Sequence, residues 1–171
     1  EEKGIGTPKP IAYYENKTSF KLLDSYYISE HLIPDLVFKD LFDRNFTDEE
    51  IILQQFAHFS FKLHEAGIEF LDHSPGNTLI KKTDTNKYSY YLVDLNRMKF
   101  HKNMDFNTRM KNLSRITPSK EMVKVISYEY AKLYNKEEKV VFDLMWNYTS
   151  NFQKRFLRKK RIKKALMFWK N

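Results

Sequence analysis

The chain has 171 residues, 16% of them aromatic, and carries 30 basic against 22 acidic side chains with no cysteine. That is enough chain and apolar surface for one domain with its own core, and it excludes disulfides, thiolate chemistry and a wholly disordered polypeptide. No run approaches the roughly 18 apolar residues of a membrane-crossing helix, and no secretory leader is expected. The charge is uneven. Nine of the 30 basic residues, and no acidic one, fall within residues 151–171, leaving 21 basic against 22 acidic elsewhere. The body is therefore nearly neutral and the basicity belongs to one tail, which argues against a nucleic-acid-coated surface.

The sequence opens on Glu1 and runs directly into Gly4-Ile5-Gly6-Thr7-Pro8-Lys9-Pro10. It reads as starting inside a domain, with further residues expected upstream. Residues 10–14 and 25–29, rich in Ile and Tyr, predict two strands around a polar turn at Glu15, Asn16 and Lys17. Pro34 ends regular pairing, and a short helical segment is expected over 36–42. The next helix, over 48–66, is the best marked. Thr47 stands as N-cap with Glu50 three positions later, the capping-box spacing, while Phe46 and Ile51 fit a hydrophobic staple. Ile52, Phe56, Phe59, Leu63 and Ala66 recur at helical spacing, and Gly67 stands where a left-handed cap belongs. Residues 78–82 and 88–94 predict a hairpin around 83–87. Helices are expected over 121–134 and from 136 into the tail. There is no internal repeat.

The stretch from Leu63 to Asp94 carries the chemistry. Phosphoryl transfer asks little of a protein beyond positioning and charge neutralisation. One carboxylate must orient the acceptor hydroxyl and take its proton, and hard oxygen ligands must hold magnesium against the nucleotide phosphates. An Asp-x4-Asn loop, Asp72 to Asn77, supplies the carboxylate and one ligand, and Asp94 at the end of a strand supplies another. On spacing alone an ordinary polar turn competes with this reading. His73 reads as a solvent-facing loop residue and His64 as a helix-surface residue. Arg97 has two readings, a contact to phosphate or to a loop carboxylate.

The run Gly67-Ile68-Glu69-Phe70-Leu71-Asp72-His73-Ser74-Pro75-Gly76-Asn77-Thr78-Leu79-Ile80, followed by Leu92-Val93-Asp94-Leu95-Asn96-Arg97-Met98, resembles the lipopolysaccharide kinase family. The resemblance covers roughly residues 4–100 and extends to Gly4 through Ala12 and Tyr27-Ile28-Ser29-Glu30-His31-Leu32. It implies an α+β, protein-kinase-like fold, mainly the helical C-lobe plus the last N-lobe strands. Residues 1–30 would be the end of the N-lobe and the hinge, 31–150 the C-lobe and 151–171 a basic tail helix. By the same resemblance Asp72 is the catalytic base, Asn77 and Asp94 hold Mg2+, and the backbones of Glu30 and Leu32 meet the adenine of ATP. The acceptor would be a Kdo or heptose hydroxyl of lipopolysaccharide inner core, or a related glycolipid.

Departures from the family pattern are specific. Phe70 stands where such loops usually carry His, so the bond that braces the loop must come from elsewhere. Asn96 replaces the glycine of the Asp-Phe-Gly motif of protein kinases. No glycine-rich phosphate loop and no strand lysine with a helical glutamate partner is found, and Gly4 and Gly6 do not serve. Two other readings therefore stand beside the enzyme: a pseudokinase or membrane-docked module, and a kinase of small antibiotic- or choline-like molecules.

In the tail, Lys154, Arg155, Arg158, Lys159, Lys160, Arg161, Lys163 and Lys164 alternate with Phe156, Leu157, Ile162, Leu166, Met167, Phe168 and Trp169. A basic amphipathic helix of this kind suits an anionic membrane surface. Nucleic-acid binding is the runner-up and is not expected, and a helix end packed on the domain is the plainest alternative. Absence of cysteine fits a reducing cytosol, and with the membrane-embedded substrate that the resemblance implies, the expected location is cytoplasmic, peripheral on the inner face of the membrane.

Overall fold

The computed structural model describes residues 3–43 and 46–168. Trp169 and the side chain of Phe168 lie outside the described residues. The first element is an antiparallel hairpin of β1 (Pro10–Lys17) and β2 (Leu22–Ser29), with Tyr13 opposite Tyr27 and Tyr14 opposite Tyr26. Its turn is Thr18 to Lys21 rather than residues 15–17. The Thr18 N–H donates to the Lys21 carbonyl at 2.8 Å and its hydroxyl accepts from the Lys21 N–H at 3.1 Å, so the threonine closes the turn and Glu15 to Lys17 stay paired. Every residue of β1 is exposed.

β3 is only Leu36–Val37, and a 3-10 turn over Phe38–Phe42 replaces the expected helix after it. Asp40 accepts from the Val37 N–H at 2.9 Å, which fixes the turn, while Phe38 and Leu41 enter the core. α1 (Glu49–Glu65) follows, one residue shorter at each end than its sequence pattern. The N-cap is Asp48, not Thr47, and no capping box forms. Asp48 makes no cap because its carboxylate is engaged by the Tyr88 hydroxyl at 2.6 Å and Lys82 at 3.2 Å. Those partners, Tyr88 foremost, hold its pKa below the usual carboxylate value. At the other end Gly67 has φ of +72°, as a left-handed helix exit requires.

The chain then forms β4 (Ile68–Phe70), β5 (Thr78–Asp84), β6 (Lys87–Leu92) and β7 (Met98–Phe100). β5 pairs with both β3 and β6, and β4 pairs with β7. The β5–β6 turn is tighter than expected, with Asn86 at φ +54°. Helices α2 (Phe106–Asn112), α3 (Lys120–Tyr134) and α4 (Glu138–Phe168) complete the fold. Ser119 caps α3 by accepting from the Met122 N–H at 3.2 Å, and Asn135 ends it in the left-handed region.

The stripe on α1 meets α3 and α4 in one core around Phe38, Phe56, Met110, Ile126, Tyr130 and Met145. A second, smaller cluster of Ile5, Leu63, Ile68, Phe70 and Leu92 lies around the β4–β7 pair. The N-terminal segment is tied into it. Gly6 accepts from the Leu92 N–H at 2.9 Å, and a Cβ at Gly6 would collide with the Tyr90 carbonyl. Gly6 is thus a close-approach glycine between two backbones. In α4, Val141, Met145 and Thr149 are buried, whereas Phe156, Leu157, Ile162, Leu166 and Met167 are all about half exposed or more. These tail residues do not pack on the domain as the plainest reading expected. No helix among the described residues is long and apolar enough to cross a membrane.

Candidate functional site

Three segments converge where the β4–β7 pair ends. The loop after β4 is held from both sides: the Leu71 N–H donates to the Arg97 carbonyl at 2.9 Å and the His73 N–H to the Phe70 carbonyl at 3.1 Å. Pro75 begins a single 3-10 turn, Pro75–Asn77, which returns the chain towards Asp72. There Nδ2 of Asn77 donates to the Asp72 carbonyl at 3.1 Å, so the Asp-x4-Asn spacing closes a ring. The Asn77 carbonyl in turn accepts from the Val93 N–H at 3.1 Å, which places Asp94 beside this loop. Asp94 has φ of +57°. A non-glycine residue in that region is uncommon and marks an over-determined turn. Nδ2 of Asn96 donates to its Oδ1 at 2.7 Å, a role glycine at position 96 has no side chain to play.

Asp72 lies between two guanidinium groups. Arg115 Nη1 is 2.8 Å from Oδ1, and Arg97 Nη1 is 3.3 Å from both carboxylate oxygens. Of the two readings for Arg97, the geometry therefore gives the loop carboxylate. Arg115 also donates to the Leu71 carbonyl at 2.7 Å and stacks over the Phe152 ring at 5.3 Å. One arginine thus ties the loop to α4.

With Phe70 in place of histidine, the brace comes from α2. Asn112 donates to the Phe70 carbonyl at 2.7 Å while its own oxygen lies 3.2 Å from His64 Nε2. His64 Nδ1 is 2.8 Å from the Tyr130 hydroxyl. His64 is accordingly no surface residue: it is fully buried, one position past Leu63 on the inward edge of the α1 stripe. Burial first, with His73 and Arg109 nearby, pushes its pKa down to about 3. His73 is no solvent-facing residue either. Its ring is fully buried between Phe56 and Phe70, at 5.6 and 5.8 Å, and among the described residues neither nitrogen has a partner in hydrogen-bond geometry. Burial pushes its pKa down to about 4.

Glu30 and Leu32 lie on the segment that follows β2, away from this loop in sequence. The Glu30 N–H donates to the Lys9 carbonyl at 2.8 Å. Asp72, Asn77 and Asp94 are brought together by the hydrogen bonds above. Sequence reasoning does not find Asn112 and Arg115. The available signal was two polar side chains three apart, interleaved with the buried Met110, Leu113 and Ile116.

Among the described residues no three His, Cys, Asp or Glu side chains form a metal cluster. Because the amide nitrogen of Asn77 is engaged, its oxygen is the atom that could face a cation, and Asp94, next to the Val93 that bonds the Asn77 backbone, is exposed. One carboxylate and one amide oxygen suit magnesium, which keeps waters and shares phosphate oxygens rather than filling an all-protein cage.

The architecture is kinase-like. A solved structure described as "WaaP in complex with acyl carrier protein" matches it with a TM-score of 0.66 over 90% of this chain and 69% of that chain, at 15% identity. The profile of the lipopolysaccharide kinase (Kdo/WaaP) family matches residues 1–136, and the chain belongs to that family. No curated protein matches it.

Proposed function

We propose that this domain transfers the γ-phosphoryl group of ATP to a sugar hydroxyl of lipopolysaccharide inner core, Kdo or heptose, or of a related glycolipid. The observation that carries the reading is the hydrogen-bonded ring of Asp72 and Asn77, joined through Val93 to Asp94. Asp72 is the base. Among the described residues its Oδ2 is met only by Arg97, at 3.3 Å, and it accepts the proton of the incoming hydroxyl as that oxygen bonds to phosphorus. The bond from phosphorus to the bridging oxygen breaks, and the electron pair leaves with ADP. Arg115 and Arg97 keep the carboxylate in place throughout. Asn77 and Asp94 would hold Mg2+, which neutralises phosphate charge when bound. The Glu30 N–H is spent on Lys9, so adenine would meet the Glu30 carbonyl and the backbone of Leu32.

Asp72→Ala in the full-length protein tests this. Phosphotransfer to inner-core acceptor should disappear while the thermal transition stays cooperative, and wild-type turnover by the folded variant would overturn the assignment. A non-catalytic binding module is separated by the activity of the wild-type protein itself. Mg-ATP at about 100 times its Kd should stabilise either by ~2.7 kcal/mol, but only the enzyme turns over.

The basic stretch of α4 is proposed to rest on an anionic membrane surface on the cytoplasmic side. Its exposed Leu157, Ile162, Leu166 and Met167 among lysines and arginines support that reading.

A further inference from the structure

A cleft of about 440 Å³ opens between the β4 strand end, α2 and α4. Arg115, in the short turn Leu113–Arg115 after α2, lines it together with Phe152, Arg155 and Lys159 of α4. The Arg115 guanidinium is a joint between the base and this helix. It donates to Asp72 Oδ1 at 2.8 Å and to the Leu71 carbonyl at 2.7 Å while stacking on the Phe152 ring at 5.3 Å. Of the two arginines on Asp72 it makes the shorter bond, so where α4 sits bears directly on the base.

The joint is under-satisfied. Among the described residues, Arg115 Nε, Thr149 Oγ1 and Gln153 Nε2 are buried without a hydrogen-bond partner. Thr149 and Gln153 lie four apart on α4, with Phe152 between them. Buried polar atoms without partners are costly, so an arrangement of α4 that pairs them lies within reach of a modest bias. The same helix can apply that bias. Beyond the joint, Arg155 makes only a 3.3 Å bond to the Asn151 carbonyl of its own helix, and Lys159 meets no carboxylate among the described residues. Farther out, Leu157, Ile162, Leu166 and Met167 are about half exposed or more. A continuous helix carries a displacement of its outer turns back to its buried ones, where a hinge would absorb it.

We infer that α4 is a membrane-operated lever: its outer turns, held by the phosphates and acyl region of an anionic bilayer, shift the Arg115 joint and speed the chemistry at Asp72. The effector is lipid in a bilayer rather than free phosphate, because phosphate alone answers the lysines and arginines and leaves the apolar side chains in water. The inference rests on the phosphotransfer and membrane readings above and adds their coupling, with the protein off the membrane as the slow form.

The test uses the full-length protein, Mg-ATP and a water-soluble acceptor, deacylated inner-core oligosaccharide, so that vesicles cannot act by gathering substrate. Turnover is compared in buffer, with inorganic phosphate, with phosphatidylcholine vesicles and with phosphatidylglycerol vesicles. Only the last should raise kcat, by about fivefold or more. Phe152→Leu, which removes the ring face from Arg115, should still sediment with phosphatidylglycerol vesicles and should lose the rise. Amide exchange at Leu71 and His73 in the wild-type protein should slow on the same vesicles, a readout that needs no turnover. Failure to sediment, an equal kcat with and without bound phosphatidylglycerol vesicles, an equal rise with free phosphate, or a rise that survives in Phe152→Leu overturns the inference. The kinase reading fails separately: slower exchange on vesicles without phosphotransfer under any condition leaves the lever standing, whereas vesicle-independent turnover leaves the kinase standing.

Discussion

The side-chain amide of Asn112, on α2, donates to the backbone carbonyl of Phe70 at 2.7 Å and is backed on its other side by His64. This pair supplies the brace that a histidine at position 70 would otherwise give the Asp72 loop. Truncation by Asn112→Ala would leave the buried Phe70 carbonyl and a buried imidazole nitrogen each without a partner. The expected cost is about 2–4 kcal/mol in urea unfolding at pH 7. Phosphotransfer should fall more than thermal stability alone explains, because the loop loses its anchor. A variant unfolding within ~0.5 kcal/mol of wild type would show that the bond is not a brace.

The two buried histidines predict an acid-side loss of stability. Both have pKa values held below the ordinary 6.5, to about 3 for His64 and about 4 for His73, by burial. Below pH 6.5 the unfolded chain takes up protons that the native protein refuses, so stability falls as pH drops. The contribution is complete above about pH 6.5 and is lost towards pH 4 for His73 and pH 3 for His64. Each group adds a slope of up to ~1.4 kcal/mol per pH unit inside its window. Urea midpoints at pH 7, 6 and 5 should decline accordingly. In His73→Phe that slope should be shallower.

His73→Phe should also be tolerated or stabilising at pH 7. The ring lies between Phe56 and Phe70 with neither nitrogen in hydrogen-bond geometry among the described residues and the Asn112 side chain as its nearby polar group, so a phenyl ring removes two poorly satisfied polar atoms. A gain of about 1 kcal/mol is expected in thermal or urea unfolding. A loss of several kcal/mol would mean that the imidazole makes a contact the packing does not account for.

Gly67→Ala should be severe. The residue has φ of +72°, and a Cβ would collide with the carbonyl of His101, whose N–H donates to the Gly67 carbonyl at 2.8 Å. Strain and collision together should exceed ~2 kcal/mol, and the β4–β7 pair should register it first by faster amide exchange at Ile68 and Phe100. Gly76→Ala is the control: a Cβ there meets nothing within 4 Å and should change stability little.

Sedimentation with vesicles tests the outer turns of α4. Lys160→Gln, Arg161→Gln and Lys163→Gln together should weaken binding to anionic vesicles by about 1 kcal/mol per charge, and raised salt should do the same to wild type. Binding that is unchanged on neutral vesicles would remove the electrostatic basis of membrane docking.

Much of this was legible beforehand, for identifiable reasons. The α1 stripe and the Gly67 exit depend on local periodicity and one backbone angle, which sequence displays directly. The Asp72-to-Asn77 spacing is likewise local, since a ring of six residues closes on itself. What was not legible depends on partners distant in the chain. Asp48, at the N-cap position, makes no cap bond because Lys82 and Tyr88, 34 and 40 positions later, take its carboxylate. His64 reads as a surface residue until Tyr130 and Asn112 supply partners that let it be buried. Arg115 is an undistinguished arginine until Asp72, Leu71 and Phe152 are seen to meet on it.

α4 has one more consequence. It is a single helix of 31 residues, so at 1.5 Å per residue it extends about 46 Å without a joint. Its first three turns are set in the core by Val141, Met145 and Thr149, its middle turns carry Phe152 and Arg155 on the cleft wall, and its last turns stand clear of the domain. A flexible linker would let the domain tumble freely over whatever the tail grips. A rigid rod does not: a surface that fixes the distal turns also fixes the compass bearing of the cleft mouth and its height above that surface. Helix length then becomes a ruler, and insertion of one or two residues near 157 would rotate the anchor relative to the cleft by about 100° each without touching a single side chain in either.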